Sequence, residues 1–228
     1  MTGIPSFQTV LFDLDGTLVD TAPDLVASMM VLRQQSGLAD ADPAVFRHHA
    51  TRGAVGLLEA GFAGQPDADL NALKAAFLDH YRDNLWVHSR PFAGVEAVLE
   101  QLTVAGLRLG IVTNKPEWLT LPLLGQAGWD ERFGCVVCGD SVARAKPHPD
   151  PVVEACHRLD TEPGRCLFVG DDRRDVEAGR AAGVATAVAG WGYLPPGEDG
   201  RGWGAEWFFA EPLEMLEMLG MFVGESQE

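Results

Sequence analysis

Short runs of apolar residues alternate along the chain with longer segments in which apolar residues recur at helical spacing. The runs VLFD, LRLGIVT and CLFVG lack the in-out alternation of a half-exposed strand, so we predict strands that are buried on both faces. Helix-start and helix-stop residues bound the segments between them, for example Pro23 and Gly37 around 23–36. This order predicts an α/β protein with a doubly wound parallel sheet. The predicted strands are 10–13, 107–113, 135–138, 166–170, 184–188 and 207–210.

One block of the chain, residues 20–88, interrupts this alternation after the first strand. Its pattern stays helical, with predicted helices at 42–49, 54–60 and 68–85. We therefore predict an all-helical domain at 20–88, inserted into an α/β core domain that 1–19 and 89–228 form together.

Composition narrows the class of partner. The chain has 228 residues, and 46% of them are hydrophobic, which is enough for a sizeable core. Lys and Arg total 17 against 33 Asp and Glu, a formal charge of −16. This balance argues against a nucleic-acid partner or an anionic membrane surface. An anionic substrate would therefore need a local group of cations, and we expect a metal ion among them.

Cysteine usage and the N-terminus indicate the compartment. The segment MTGIPSFQTVLFDLDG has no basic region and no long apolar core, and no stretch approaches the ~18–20 apolar residues of a membrane span. Cys135 and Cys138 form a CxxC, but no second CxxC or His pair completes a zinc site. We expect the four cysteines to be buried, reduced thiols and the protein to be cytoplasmic.

The residues that follow the predicted strands carry the candidate chemistry, because ligands of open parallel sheets bind beyond the carboxyl ends of the strands. Asp13 and Asp15 on their own are also compatible with a simple turn, since DGT is good turn chemistry. Polar residues at the other strand ends argue for a site instead. These candidates are Asp13, Asp15, Thr113, Asn114, Lys146, Asp171, Asp172 and Asp175.

In this order, DLDGT, VTNKP, AKPHPDP and GDDRRD resemble the four motifs of the haloacid dehalogenase-like phosphohydrolases. The inserted helical domain resembles the C1 cap of that superfamily, and the rest of the chain resembles its Rossmann-like core. The wording of the motifs is most similar to the phosphoglycolate-phosphatase branch. The related N-acetylmuramate-6-phosphate phosphatases share it, including a WGA segment.

The resemblance implies a nucleophile, an acid/base and a metal site. Asp13 would attack phosphorus and form an aspartyl-phosphate. Asp15 would protonate the leaving alcohol and then take a proton from the attacking water. Mg²⁺ would bind Asp13, the backbone carbonyl of Asp15 and Asp171, since it prefers oxygen ligands.

The resemblance also implies a phosphoryl-binding group. The Thr113 hydroxyl and the Asn114 amide would hold phosphoryl oxygens, and Lys146 would neutralise charge on the transferring group. In the cap, Arg52 lies beside a glycine turn, where it is either a ligand of the substrate's carboxylate or a plain surface arginine.

Two further acids follow the last motif. Asp172 is equally compatible with a helix N-cap. For Asp175 we favour support of Lys146 or of a water over direct metal ligation.

We therefore expect a Mg²⁺-dependent phosphomonoesterase that acts on a small phosphorylated metabolite as a monomer or homodimer. Phosphoglycolate is the first-choice substrate and N-acetylmuramate 6-phosphate the second. A sugar-phosphate mutase would retain both Asp13 and Asp15 and stays open. Phosphonate cleavage needs a cap lysine, and Lys74 lies among exposed-face residues of a helix. Asp15 disfavours dehalogenase chemistry, and the intact acids disfavour a non-catalytic binding protein.

Overall fold

The computed structural model describes residues 7–66 and 68–221. Six strands form one sheet in the spatial order β5-β4-β1-β6-β7-β8, and every neighbouring pair is parallel. This confirms the predicted fold class. The strands are β1 (Thr9–Phe12), β4 (Arg108–Val112), β5 (Cys135–Val137), β6 (Cys166–Gly170), β7 (Ala185–Ala189) and β8 (Trp207–Phe209), and a separate pair comprises β2 (Val19–Asp20) and β3 (Arg90–Pro91).

Helices cover both faces of the sheet, as the continuous apolar runs predict. In β1, Val10 and Phe12 join the buried cluster that contains Val98 and Leu99, while Leu11 joins the cluster that contains Val152. Successive side chains of a strand point to opposite faces, so a doubly covered strand must be apolar at every position. The helices are α1 (Ala22–Gln35), α2 (Gly53–Gly61), α3 (Leu70–Asp83), α4 (Val95–Val104), α5 (Glu117–Ala127), α6 (Asp150–Arg158), α7 (Arg173–Ala182) and α8 (Glu214–Met218).

The segment between β2 and β3 is helical throughout its described part. Its elements α1, α2, α3 and a 3₁₀ helix at Pro43–Arg52 pack on one another. We predicted an ordinary helix at 42–49. Only Phe46 and Ala50 of the 3₁₀ helix are buried, so this stretch lacks the broad apolar face that supports an α-helix.

The chain passes between the sheet and these helices through β2 and β3. They pair in antiparallel register, Val19 with Pro91 and Asp20 with Arg90. The domain bounds at 19/20 and 88/89 stay a prediction, and 1–6 and 222–228 of the predicted core, like Asp67 of the predicted cap, lie outside the described residues.

Two expectations about the chain as a whole can be compared with the structure. All four cysteines are free and buried, as predicted. Within 7–66 and 68–221, no helix combines the length and the apolar character needed to cross a bilayer.

The topology brings three strand ends together. β1 lies between β4 and β6, with Phe12 level with both Ile111 and Val169. The residues that follow these three strands therefore face the same edge of the sheet, where α/β proteins bind ligands.

Candidate active site

The turn after β1 places two carboxylates at this edge. The backbone N–H of Asp13 still donates to Val169 at 2.9 Å, so its position is fixed by the sheet. Gly16 follows with a φ of +88°, and a Cβ there would lie 2.2 Å from Oδ2 of Asp171. Only glycine fits both the backbone and the space. The DLDG sequence thus lets the β1 turn approach the acid that ends β6.

Three acids from two strand ends and a helix form a compact group. Carboxylate oxygens of Asp13, Asp171 and Asp175 lie within 4.8 Å of one another. The Lys146 ammonium lies between two of them, 2.8 Å from Oδ1 of Asp13 and 2.7 Å from Oδ1 of Asp175. It also donates to the carbonyl of Val112 at 2.8 Å. The structure therefore brings together four residues that are widely separated in the sequence.

The group carries more negative than positive charge in a buried place. Burial, with the charges of Asp13 and Asp175 adding to it, raises the pKa of Asp171 well above its ordinary value. Burial also raises the pKa of Asp175 to about 7, although Lys146 opposes the rise. The pKa of Asp13 is raised by burial and lowered less by Lys146. An all-oxygen donor set with unbalanced negative charge suits a hard divalent cation such as Mg²⁺.

Two donors outside the predicted set fix Asp171. Thr17 Oγ1 donates to Oδ1 at 3.0 Å, and the backbone N–H of Tyr193 donates to Oδ2 at 2.8 Å. We had considered Tyr193 only as packing for its loop. The Thr17 signal was present in DGT, whereas nothing in the sequence relates the Tyr193 backbone to Asp171.

The element after β4 has two parts with different uses. The buried Thr113 hydroxyl accepts from the backbone N–H of Lys115 at 3.1 Å. The Asn114 side chain donates to the Lys146 carbonyl at 3.0 Å and accepts from the Lys146 N–H at 3.0 Å. Both ends of the Asn114 side chain are thus used to hold the Lys146 backbone. Any contact of Asn114 with a phosphoryl oxygen therefore has to involve its backbone N–H.

Asp172 and Asp175 begin α7 together. Asp172 is the N-cap and accepts from the Arg174 N–H at 2.7 Å, while Asp175 accepts from the Asp172 N–H at 3.0 Å. This capping box starts the helix at Arg173, two residues before the predicted start. Asp175 thus has two contacts, one to the helix cap and one to Lys146. Its ion pair with Lys146 matches the supporting role that we favoured from the sequence.

Asp172 also joins α7 to the inserted helices. Thr51 Oγ1 donates to Oδ2 of Asp172 at 2.8 Å, and Arg174 Nη2 donates to the Thr51 carbonyl at 2.7 Å. Burial would raise the pKa of Asp172, but the hydrogen bonds and charge of Arg174 outweigh it and leave this pKa below its ordinary value. A charged Asp172 therefore holds the Thr51 turn against the core.

A cavity of about 310 Å³ lies between the acid group and the inserted helices. Arg52 lines it, but its guanidinium is half-exposed and pairs with Glu59 at 2.8 Å. Lys74 also lines the cavity, a location that its exposed-face pattern did not indicate. Much of the remaining wall is apolar and includes Leu25, Ala54, Val55, Phe77, Leu78 and Trp118.

Asp15 points away from the three-acid group. Its Oδ1 lies 3.0 Å from the Lys115 ammonium and 2.6 Å from Thr21 Oγ1. The same ammonium donates to the Tyr81 hydroxyl at 2.9 Å. The sequence analysis assigned no role to Lys115, Thr21 or Tyr81, although Lys115 stands directly behind a predicted strand.

Comparison with known proteins relates the chain to one family. A model of the haloacid dehalogenase-like hydrolases matches residues 7–183. The N-acetylmuramic acid 6-phosphate phosphatase of Pseudomonas aeruginosa is 40% identical over 213 residues, 93% of this chain and 94% of the relative. The phosphoglycolate phosphatase of Xanthomonas campestris pv. campestris is 39% identical over 210 residues, 92% of this chain and 95% of the relative.

A solved structure agrees over nearly the whole chain. The crystal structure of a predicted phosphoglycolate phosphatase from Haemophilus somnus superposes with a TM-score of 0.83 at 29% identity and covers 95% of this chain and 99% of its own. Relatives named for two different substrates therefore match this chain at nearly the same identity.

Proposed function

The chain belongs to the haloacid dehalogenase-like hydrolases, and from this premise we propose that it is a Mg²⁺-dependent phosphatase of small phosphate monoesters. The observation that carries the proposal is the group of Asp13, Asp171 and Asp175 around Lys146, at the edge where three parallel strands end. A carboxylate nucleophile beside a fixed cation and a divalent-metal site is the equipment that phosphoryl transfer requires.

In the proposed reaction an oxygen of Asp13 forms a bond to phosphorus while the bond from phosphorus to the alcohol breaks. Asp15 gives its proton to the departing alcohol. Asp15 then takes a proton from water, whose oxygen attacks the same phosphorus. Inorganic phosphate leaves, and the Asp13 carboxylate is restored.

The remaining residues hold the phosphoryl group during both steps. The Thr113 hydroxyl and the Asn114 backbone N–H donate to its oxygens, and Lys146 offsets its charge. Mg²⁺, held by Asp13, Asp171 and the Asp15 carbonyl, would reduce the repulsion between the carboxylate and the phosphate. Asp175 keeps Lys146 in place through their 2.7 Å contact.

We propose 2-phosphoglycolate as the first candidate substrate, in line with relatives that carry this name. A second candidate, N-acetylmuramate 6-phosphate, is favoured by the cavity and by the name of the Pseudomonas aeruginosa relative. At about 310 Å³, the cavity is at the lower end of the ~300–1,000 Å³ typical of sites for larger ligands, and its wall is largely apolar. Both candidates carry a carboxylate, which Arg52 or Lys74 would bind.

The test is phosphate release with Mg²⁺ from 2-phosphoglycolate, N-acetylmuramate 6-phosphate and glucose 6-phosphate, compared by kcat/KM. We expect the first to exceed the others by about 10³-fold, which corresponds to ~4 kcal/mol of transition-state binding. A preference for the muramate ester would replace the first candidate with the second. Isomerised product without phosphate release would indicate a mutase, and no turnover of any ester by the folded protein would contradict the proposed function.

Asp13→Asn is the matched control, because it keeps the size of the side chain and removes the nucleophile. The expectations of a cytoplasmic location and of a monomeric or homodimeric state stay predictions.

A further inference from the structure

Lys115 is a second buried lysine beside the site, and the proposed phosphoryl chemistry does not use it. Its side chain is 6% exposed, and it lines the same cavity as Asp13 and Lys146. A buried ammonium is costly unless it is paired and hydrogen-bonded. Its partners therefore indicate what it does.

Those partners are the proposed acid/base and one residue of the inserted helices. The Lys115 ammonium donates to Oδ1 of Asp15 at 3.0 Å and to the Tyr81 hydroxyl at 2.9 Å, and it lies 4.6 Å from the centre of the Tyr81 ring. Tyr81 is a fully buried residue of α3. The lysine is thus held from the helical side and holds a carboxylate on the core side.

Both donors to Asp15 use the same oxygen. Thr21 Oγ1 donates to Oδ1 at 2.6 Å, the oxygen that Lys115 also contacts. Two donors on Oδ1 fix the rotation of the carboxylate and turn Oδ2 away from them. Oδ2 is therefore the oxygen available to exchange a proton with a substrate.

We propose that Lys115 is the positioning residue of the acid/base: it orients Asp15 so that Oδ2 faces the leaving group, and Tyr81 keeps Lys115 in place. This assignment rests on the proposed phosphatase function. It makes the orientation of the acid/base depend on a contact between the inserted helices and the core. A helix that carried Tyr81 away from the core would leave Lys115 without one of its two partners.

The test compares two phosphate esters that differ in their need for a proton. An alkyl phosphate, the best ester of the substrate panel, has a poor leaving group and needs the acid. p-Nitrophenyl phosphate releases a stabilised anion and needs it little. Because kcat/KM reports the steps up to phosphoryl transfer to the enzyme, the ratio of the two values isolates the acid.

We expect Lys115→Met to lower kcat/KM for the alkyl ester by about 10²-fold and for p-nitrophenyl phosphate by less than about tenfold. Tyr81→Phe keeps the ring and removes the hydroxyl, so it should shift the ratio in the same direction by a smaller factor. It also keeps the proposal testable if Lys115→Met does not fold.

A double-mutant cycle tests whether Lys115 acts through Asp15. In an Asp15→Asn background, Lys115→Met should add less than about a threefold loss for the alkyl ester, because the group that it orients is already removed. A lysine that only stabilises the fold, or that binds the substrate itself, would cause its full loss in both backgrounds.

Equal losses for the two esters, or a full additional loss in the Asp15→Asn background, would overturn the role of Lys115 while the unmodified protein still turns over substrate. Failure of the unmodified protein to release phosphate from any ester would instead overturn the proposed function, and this assignment with it.

Discussion

Replacing Gly16 by alanine perturbs the closest approach in the site. The new Cβ would lie 2.2 Å from Oδ2 of Asp171, and the φ of +88° is one that side chains rarely adopt. To restore even a 3.4 Å contact, the carboxylate must withdraw by 1.2 Å. Asp171 cannot do so freely, because Thr17 and the Tyr193 N–H hold its two oxygens.

The structure separates the cost into two parts. The positive φ alone destabilises an alanine by ~1–2 kcal/mol. The overlap with a pinned, buried side chain adds ~1–3 kcal/mol. We therefore expect Gly16→Ala to lower the free energy of unfolding by ~2–5 kcal/mol. Because Asp171 is a proposed metal ligand, we also expect Mg²⁺ to bind ~10–100-fold more weakly.

Gly106→Ala is the matched control, since Gly106 has a φ of +77° and no atom would lie within 4 Å of a Cβ added there. It should lose only the ~1–2 kcal/mol of the backbone part and bind Mg²⁺ like the unmodified protein. Urea denaturation of the metal-free proteins gives the first quantity, and titration calorimetry gives the second. Equal losses of stability in the two variants, with equal Mg²⁺ affinity, would refute the reasoning.

Two further predictions concern the charges of the site. Lys146→Met removes the cation between Asp13 and Asp175, so steady-state assays should show kcat reduced by ~10²-fold or more, and a variant that keeps about a tenth of the normal kcat would contradict the role of this lysine. Because burial raises the pKa of Asp175 to about 7 and also raises those of Asp13 and Asp171, these carboxyls retain protons that a metal must displace. Calorimetry should therefore show tighter Mg²⁺ binding as the pH rises from about 6 to about 8, and an affinity that does not change with pH would contradict this arrangement.

The sequence was sufficient where structure follows from local chemistry. The bounds of β6 and α5 match their predictions residue for residue, because a fully apolar run and a Pro-to-Gly interval define their ends. The convergence of Asp13, Thr113, Lys146 and Asp171 followed from the rule that parallel strands end at one edge. Relating these segments to the motifs of a family then needed no long-range information.

The direction of individual side chains could not be predicted in this way. Asn114 and Lys115 follow Thr113 directly, yet one holds the Lys146 backbone and the other reaches Asp15 and Tyr81. These contacts depend on how segments far apart in the sequence pack. The two-residue strands β2 and β3 are likewise too short to produce a pattern, because their pairing is set by where the helical segment leaves and rejoins the core.

The central claim is that the Asp13 carboxylate itself receives the phosphoryl group. Rapid acid quenching during turnover, followed by peptide mass spectrometry, tests this most directly. We expect one added phosphoryl group on the peptide that contains Asp13, formed before free phosphate accumulates and absent from Asp13→Asn. Phosphate release at the normal rate with no label on that peptide, or undiminished turnover by Asp13→Asn, would contradict the account.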